Sequence, residues 1–462
     1  MKRFFSLILM LLLIAAAISC GDDATSSTTS ADVTTAPPPE PVSLLKENGE
    51  AAYRIVRPDK VNSDTIDSID EFKRSLNSLM GAEFTLITDT LAENETSEGV
   101  AEVYEILIGA TNRPESAAAK EGLTENDYVI RVMGSKIVIV GGSDLMTVRA
   151  MNRFFSMLSA DDGFAVDGAL NIREKIQRGT QLVALTNQGK WRLQVYDITN
   201  GRLDESSLVW SYKTPFRNIA GVKFRHSEKY GNVVLTVCGN RYGCMISYPE
   251  GKVLWSTEAA ASNPHSIELM PNGIIAIASS DGGEVRFFKT DERSSKTPDA
   301  KMTLRDAHGV LWDPEREVLW AIGANVLTAY RVTLDEDGAV AVTEDTSLKA
   351  TIPNYGAHDL APVYGNKNEL WITTGSHVYR YNKTDKAFSL EYEGHEIVDI
   401  GGVKGVGNFD NGDIVYIYPD GEYQSWTGKT AYLVKKGADE REELVSEVGH
   451  FYKIRVWDTR YQ

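Results

Sequence analysis

Three of the chain's seven histidines sit in short motifs of one kind: NPHSIE around His265, DAHGVLW around His308 and GAHDLAP around His358. They stand 43 and 50 residues apart, and Lys404 in VKGVGNFDNG follows after a further 46. Counting back 42 residues from His265 reaches Lys223 in GVKFR, and near the C-terminus Lys453 takes the matching place, or His450 on a register slipped by three. Three neutral imidazoles meeting at one point would suit one divalent metal ion, with nitrogen donors about 2 Å away and a position left open; zinc, manganese and calcium all stay open. Such an ion polarises a carboxylate or carbonyl oxygen, or lowers the pKa of its bound water. Lys223, Lys404 and Lys453 on the opposite arc would then neutralise an anionic ligand as point charges. A uronic acid fits that description, because a lyase needs a cation near the carboxylate and a base for the adjacent proton.

The competing reading is a solvated channel whose histidines and small residues hydrogen-bond backbone or water, which leaves a binding or scaffold protein without chemistry. Asp306, Asp359 and Glu268 lie beside the histidines; they can orient the rings, or cap turns and pair with lysines. Tyr355 is a candidate base or stacking surface, with half-buried packing as its alternative. No catalytic residue is assigned.

Residues at such spacings need a repeating scaffold. From about 180 to 462 helical periodicity is nearly absent and short apolar strands return in a fixed order: NVVLTVC with CMISYPEG, GIIAIASS with EVRFFKTD, EVLWAIG with LTAYRVTLD, NELWITTG with HVYRYNKTD, DIVYIYPDG with AYLVKKG. Repeats of this length with four strands each predict a β-propeller, and the count is six blades. QLVALTN with RLQVYDITNG lacks a first strand, which FYKIRVW at the C-terminus can supply. The first strand of each blade lines the central channel, so equivalent positions form a ring. Trp210, Trp255, Trp312, Trp320, Trp371 and Trp457 recur at strand positions and are expected in the core between blades. On NPHS, AHG and HDL, the 180–462 segment resembles an uncharacterised family of secreted bacterial propellers, a resemblance that implies the fold and no activity.

Ahead of it, residues 44–175 alternate strand and helix signals. Ile66, Ile69, Phe72, Leu76 and Leu79 recur at helical spacing until Gly81, and Leu145, Val148, Met151, Phe155 and Leu158 mark another helix. The expectation is a small two-layer α/β domain, so that the fold class is multidomain: α/β followed by an all-β six-bladed propeller. The order of elements, with EILIGATNRPES and YVIRVMGSKIVIVGG, resembles the non-catalytic α/β domain that precedes the catalytic barrel in glycoside hydrolases such as bacterial hexosaminidases and α-glucuronidases. No barrel pattern follows here, so the resemblance implies an accessory domain and no hydrolase activity.

The first twenty residues, MKRFFSLILMLLLIAAAISC, combine two positive charges, an apolar run and small residues, as an export signal does. AISC resembles the lipobox of bacterial lipoproteins, which implies lipidation at Cys20, a 1–20 signal peptide and an extracytoplasmic protein anchored to the cell membrane. Residues 21–43 are rich in Ser, Thr and Pro and cannot support a core, so they are expected to act as a tether. Cys238 and Cys244 read as a local disulfide or two free thiols. A net charge of -17 with the acidic residues spread out argues against nucleic acid as a partner. Phosphate loops, nucleophile elbows, HExxH and C-x-x-C motifs are all missing from the sequence. The combined expectation is a surface-anchored lipoprotein that binds or processes an anionic carbohydrate at the propeller axis.

Overall fold

Strand pairing in the second half of the chain follows from burial. Ile274–Ser279 and Val318–Gly323 are apolar and buried along their whole length, as strands covered on both faces must be. Each is flanked in its own sheet by an innermost strand and by two outer ones, and sheets of this kind recur around a central axis. A computed structural model describes residues 39–462 apart from 93, 94, 162, 177, 178 and 448. The expected signal peptide, the expected lipidation at Cys20 and residues 21–38 of the expected tether lie outside the described residues.

The propeller has six blades. In chain order the innermost strands of blades 2 to 6 are Gly221–Ser227, Pro264–Leu269, Ala307–Asp313, Asp359–Pro362 and Gly405–Asn408. Blade 1 is built from Leu182–Asn187, Arg192–Asp197 and Leu208–Lys213, and its innermost strand is Phe451–Val456 from the far end of the chain. The ring therefore closes inside one blade, by hydrogen bonds between the two ends of the propeller segment. Neighbouring blades press apolar faces together, with Trp255, Trp320 and Trp371 fully buried there. Cys238 and Cys244 are buried free thiols; burial pushes Cys238 up to about 12, so neither is poised as a nucleophile.

Residues 54–175 contribute a six-stranded mixed sheet. Helix Ser63–Met80 starts where the Asn62 side chain accepts from the Thr65 amide and stops at Gly81, whose φ of +64° favours glycine. It packs with helix Asp144–Ser156 on one face of the sheet, while the short helix Pro114–Lys120 covers the other through Ala119. Helices on both faces replace the expected two layers, because the central strands carry apolar residues on both sides, Ile106 and Ile108 towards one and Leu107 towards the other. Ile69, Phe72, Leu76 and Met151 are buried in this core as expected, and the differences lie at the edges of the helical faces. Met80 is buried in place of Leu79, which is 40% exposed. In the second helix Met146, Ala150, Met151 and Phe154 point inward. Leu145 packs against both this core and the one between blades 1 and 6, and Arg149 donates to the carbonyls of Glu205, Ser206 and Leu208. One helix thus serves two cores.

Candidate functional site

The innermost strands begin with a shared backbone device. Two residues ahead of His265, His308, His358 and Lys404 stand Asn263, Asp306, Gly356 and Gly402, with φ of 56°, 54°, 80° and 81°. That left-handed region is open to glycine and tolerated by Asn and Asp. The same turn therefore launches each of the four side chains. In blades 3 and 4 the register then skips one residue at His265 and at His308; in blade 1 it skips within Tyr452–Lys453. Such bulges re-aim a side chain away from the regular alternation, and here they turn it towards the axis.

The three histidines meet. The rings of His265 and His308 stack with centroids 4.2 Å apart, and His308 and His358 meet edge to face at 5.5 Å. Tyr452 Oη lies 3.0 Å from His265 Nδ1, His308 Nδ1 is 2.9 Å from the Asp306 carbonyl and 3.2 Å from its carboxylate, and Lys404 Nζ is 3.1 Å from His358 Nε2. One nitrogen of every ring is thus committed within the protein. Among the described residues no group of three or more His, Cys, Asp or Glu side chains is arranged to hold a metal ion. His358 Nδ1 is buried without a hydrogen-bond partner.

Of the three lysines expected opposite the histidines, Lys404 joins them and the other two lie beneath. Lys223 pairs with Leu235 across its hairpin and Glu268 pairs with Ala276. Each partner is three residues short of the residue that closes its second hairpin, so Lys223 is level with Glu268 and two residues deeper than expected. It donates to Glu268 Oε2 at 2.8 Å and to the Val310 carbonyl. Lys453 sits one residue past the ring position, which Tyr452 occupies, and donates to Asp359 Oδ1 at 3.0 Å and to the His358 carbonyl at 2.5 Å. Neither ammonium faces solvent: both are at most 5% exposed. His450 lies outside the ring, stacked on Tyr423.

Two arginines complete this lower layer. Arg225 grips both oxygens of Glu268 at 2.8 and 2.9 Å, and Arg455 grips both oxygens of Asp359. Lys223-Phe224-Arg225 and Lys453-Ile454-Arg455 are the same K-x-R pattern on innermost strands, and alternation at period 2 puts both cations of each on the channel side. That repeat was visible in the sequence and marks Arg225 and Arg455; Tyr452 carried no comparable signal. Asp359, Lys453 and Arg455 join blades 5 and 1 past blade 6, so the clamp also holds the ring together across the axis.

The electrostatics follow from burial and from an excess of cations. Among the described residues, Lys223, Arg225, Lys404, Lys453 and Arg455 share the axis with three carboxylates, Glu268, Asp306 and Asp359. Burial opposes ionisation of Asp359, yet Arg455 and Lys453 outweigh it and hold the carboxyl at about 2; Arg225 and Lys223 keep Glu268 below the usual range in the same way. Burial brings Lys223 and Lys453 down to about 8, with their carboxylate partners offsetting part of the effect. Lys404 is also brought to about 8, by burial, and has no carboxylate partner among the described residues. Burial, then the neighbouring positive charges, pushes His358 down to about 3 and His265 well below its ordinary value. These two imidazoles are neutral at pH 7.

The channel is approached from the histidine side. His265, His358 and Lys404 are partly exposed, whereas the other end is crossed by residues 457–462. There Arg225 and Tyr364 donate to the Arg460 carbonyl, Tyr461 Oη donates to the Leu269 carbonyl at 2.7 Å, and Arg460 donates to Asp410 at 2.8 Å. Lys383 bridges Gln462 and Asp313. The segment is thus tied to blades 2 through 6.

A family model described as a family of unknown function (DUF6528) matches residues 185–432, more than half of the chain. The matched span holds Lys223, His265, His308, His358 and Lys404 and stops before the strand that carries Tyr452, Lys453 and Arg455. No curated protein matches the chain.

Proposed function

Since the chain belongs to this family of unknown function, its role has to be read from the axial site, and we propose that it binds an anionic carbohydrate at the histidine mouth of the propeller channel. The observation that carries the reading is Lys404: a largely buried ammonium whose neighbour is an imidazole nitrogen, above a layer in which cations outnumber carboxylates. A buried cation without a counter-charge is costly, and a carboxylate delivered by a ligand removes that cost. The neutral imidazoles beside it offer hydrogen bonds without adding repulsion or attraction of their own. In an acidic protein, a positive recess also concentrates anions locally.

In this reading the protein is exported and lipid-anchored through Cys20, with residues 21–43 as the tether. The α/β unit is a non-catalytic accessory like the glycoside hydrolase domain it resembles, docked through Leu145 and Arg149. Binding requires no metal. A metal-assisted, lyase-like version is the second reading, favoured by the approach of three imidazole rings to 4.2 and 5.5 Å; a metal held there would have to use the ring nitrogens not already bonded to Tyr452, Asp306 and Lys404. Calorimetric titration with glucuronate tests the first reading: the wild type should bind and Lys404→Met should not. Elemental analysis of protein purified without chelator tests the second, which fails if no metal is retained and added zinc or manganese does not bind.

A further inference from the structure

Of the four large aromatic side chains that are strongly exposed among the described residues, three stand around the channel mouth: Tyr355 at 56%, Tyr423 at 49% and Trp426 at 42%. Tyr355 lies three residues ahead of His358. Tyr423 stacks on His450 at 4.4 Å, two residues ahead of Tyr452, and Trp426 Nε1 donates to Gln188 Oε1 at 3.0 Å. The loop that carries both is joined to the start of the closing strand by the pairing of Gly428 with Phe451. Cations accompany this rim. Arg305 lies 5.7 Å over the Tyr355 ring, and Arg217 lies 4.7 Å over the half-buried Trp191.

Tyr423 has one ring face on His450 and Tyr355 has Arg305 over its ring, while about half of each side chain stays exposed. We infer that they are stacking platforms for sugar rings on either side of the axial site, so that the ligand is an acidic oligosaccharide with one carboxylate at Lys404. This deepens the axial anion reading above and rests on it. A free aromatic face covers the C–H face of a sugar ring at little entropic cost, because its rotamer is already set. A flat protein partner is disfavoured by the placement. The platforms are separate, Tyr355 before blade 5 and Tyr423 with Trp426 over blade 1, and the charge they flank is recessed in the channel, whereas protein interfaces gather their apolar area into one core patch.

The test is calorimetric titration with glucuronate and with a galacturonate tetramer, on the wild type, on Lys404→Met and on the double variant Tyr355→Ala, Tyr423→Ala. The substituted tyrosines are exposed, so folding is not at stake. The wild type should bind the tetramer at least 10-fold more tightly than the monosaccharide, and the double variant should lower that ratio by about 10-fold. An unchanged ratio would overturn the platforms while leaving the axial site standing, and would hand the rim to a macromolecular partner. If Lys404→Met binds glucuronate as the wild type does, or if the wild type binds neither probe, the axial reading falls and the platforms fall with it.

Discussion

Lys404 Nζ and His358 Nε2 lie 3.1 Å apart at the mouth of the channel, and the contact fixes the chemistry of both. The imidazole must be neutral to accept from the ammonium, and the ammonium has found an acceptor that carries no charge to match its own. This leaves a positive charge without a carboxylate partner on the Lys404 side of the mouth, while Asp306 lies on the His308 side.

Anion affinity should therefore depend on pH through Lys404. Binding needs the ammonium, whose pKa in the free protein is about 8. Affinity should be level between pH 6 and 7.5 and then fall about tenfold per unit above 8. Titration of glucuronate binding from pH 6 to 10 checks this; a level profile up to pH 10 would remove Lys404 from the site.

Acid should weaken the fold earlier than carboxylate titration alone would. His265 and His358 have folded pKa values far below the ordinary 6.5, with His358 at about 3. Stability from their burial is fully present above pH 6.5 and is lost as pH falls from there towards 3, because the unfolded chain takes up the protons first. Each histidine contributes a slope of about 1.4 kcal/mol per pH unit at most in that window. Urea denaturation at pH 7, 6 and 5 measures it, with His265→Asn, His358→Asn as the control in which the slope should shrink.

The clamp of Asp359 by Lys453 and Arg455 is buried, and breaking it leaves two cations without their anion. Asp359→Asn should cost about 3–5 kcal/mol, read by chemical denaturation at pH 7. A loss below 1 kcal/mol would show that the clamp does not hold blades 5 and 1 together. Glu268→Gln should behave alike for blades 2 and 3.

Trp371 is fully buried between blades, packed against Tyr392 with ring centroids 5.0 Å apart. Trp371→Ala should destabilise by about 3–5 kcal/mol through the cavity it leaves, without changing glucuronate affinity. A change in affinity larger than threefold would mean that blade packing sets the geometry of the mouth.

Much of this was legible along the chain, for reasons that are local. Middle strands such as Ile274–Ser279 are buried on both faces and so read as unbroken apolar runs, which made six blades countable. The ring of His265, His308, His358 and Lys404 was legible because each follows the same left-handed step at Asn263, Asp306, Gly356 or Gly402, and a shared backbone step preserves spacing. Lys223 was placed two residues too high and Lys453 one residue off for the opposite reason. Bulges at His265, at His308 and within Tyr452–Lys453 insert a residue, and an insertion of one cannot be told from a longer turn by counting. The helix Asp144–Ser156 was recognised with Met151 on its buried face, yet the deeper burial of Met146, Ala150 and Phe154 and the reach of Leu145 to a second core depended on the blades beside it.

Read alone, the order of residues determined a propeller closed by its own C-terminal strand and the set of side chains that head its inner strands, because periodic burial and turn chemistry act over a few residues. Only the tertiary structure decided which of those side chains stay available. Lys223 and Lys453 are neutralised by carboxylates from other blades while Lys404 is left with an imidazole, and that difference arises from partners distant in the chain, brought together when the ring closes.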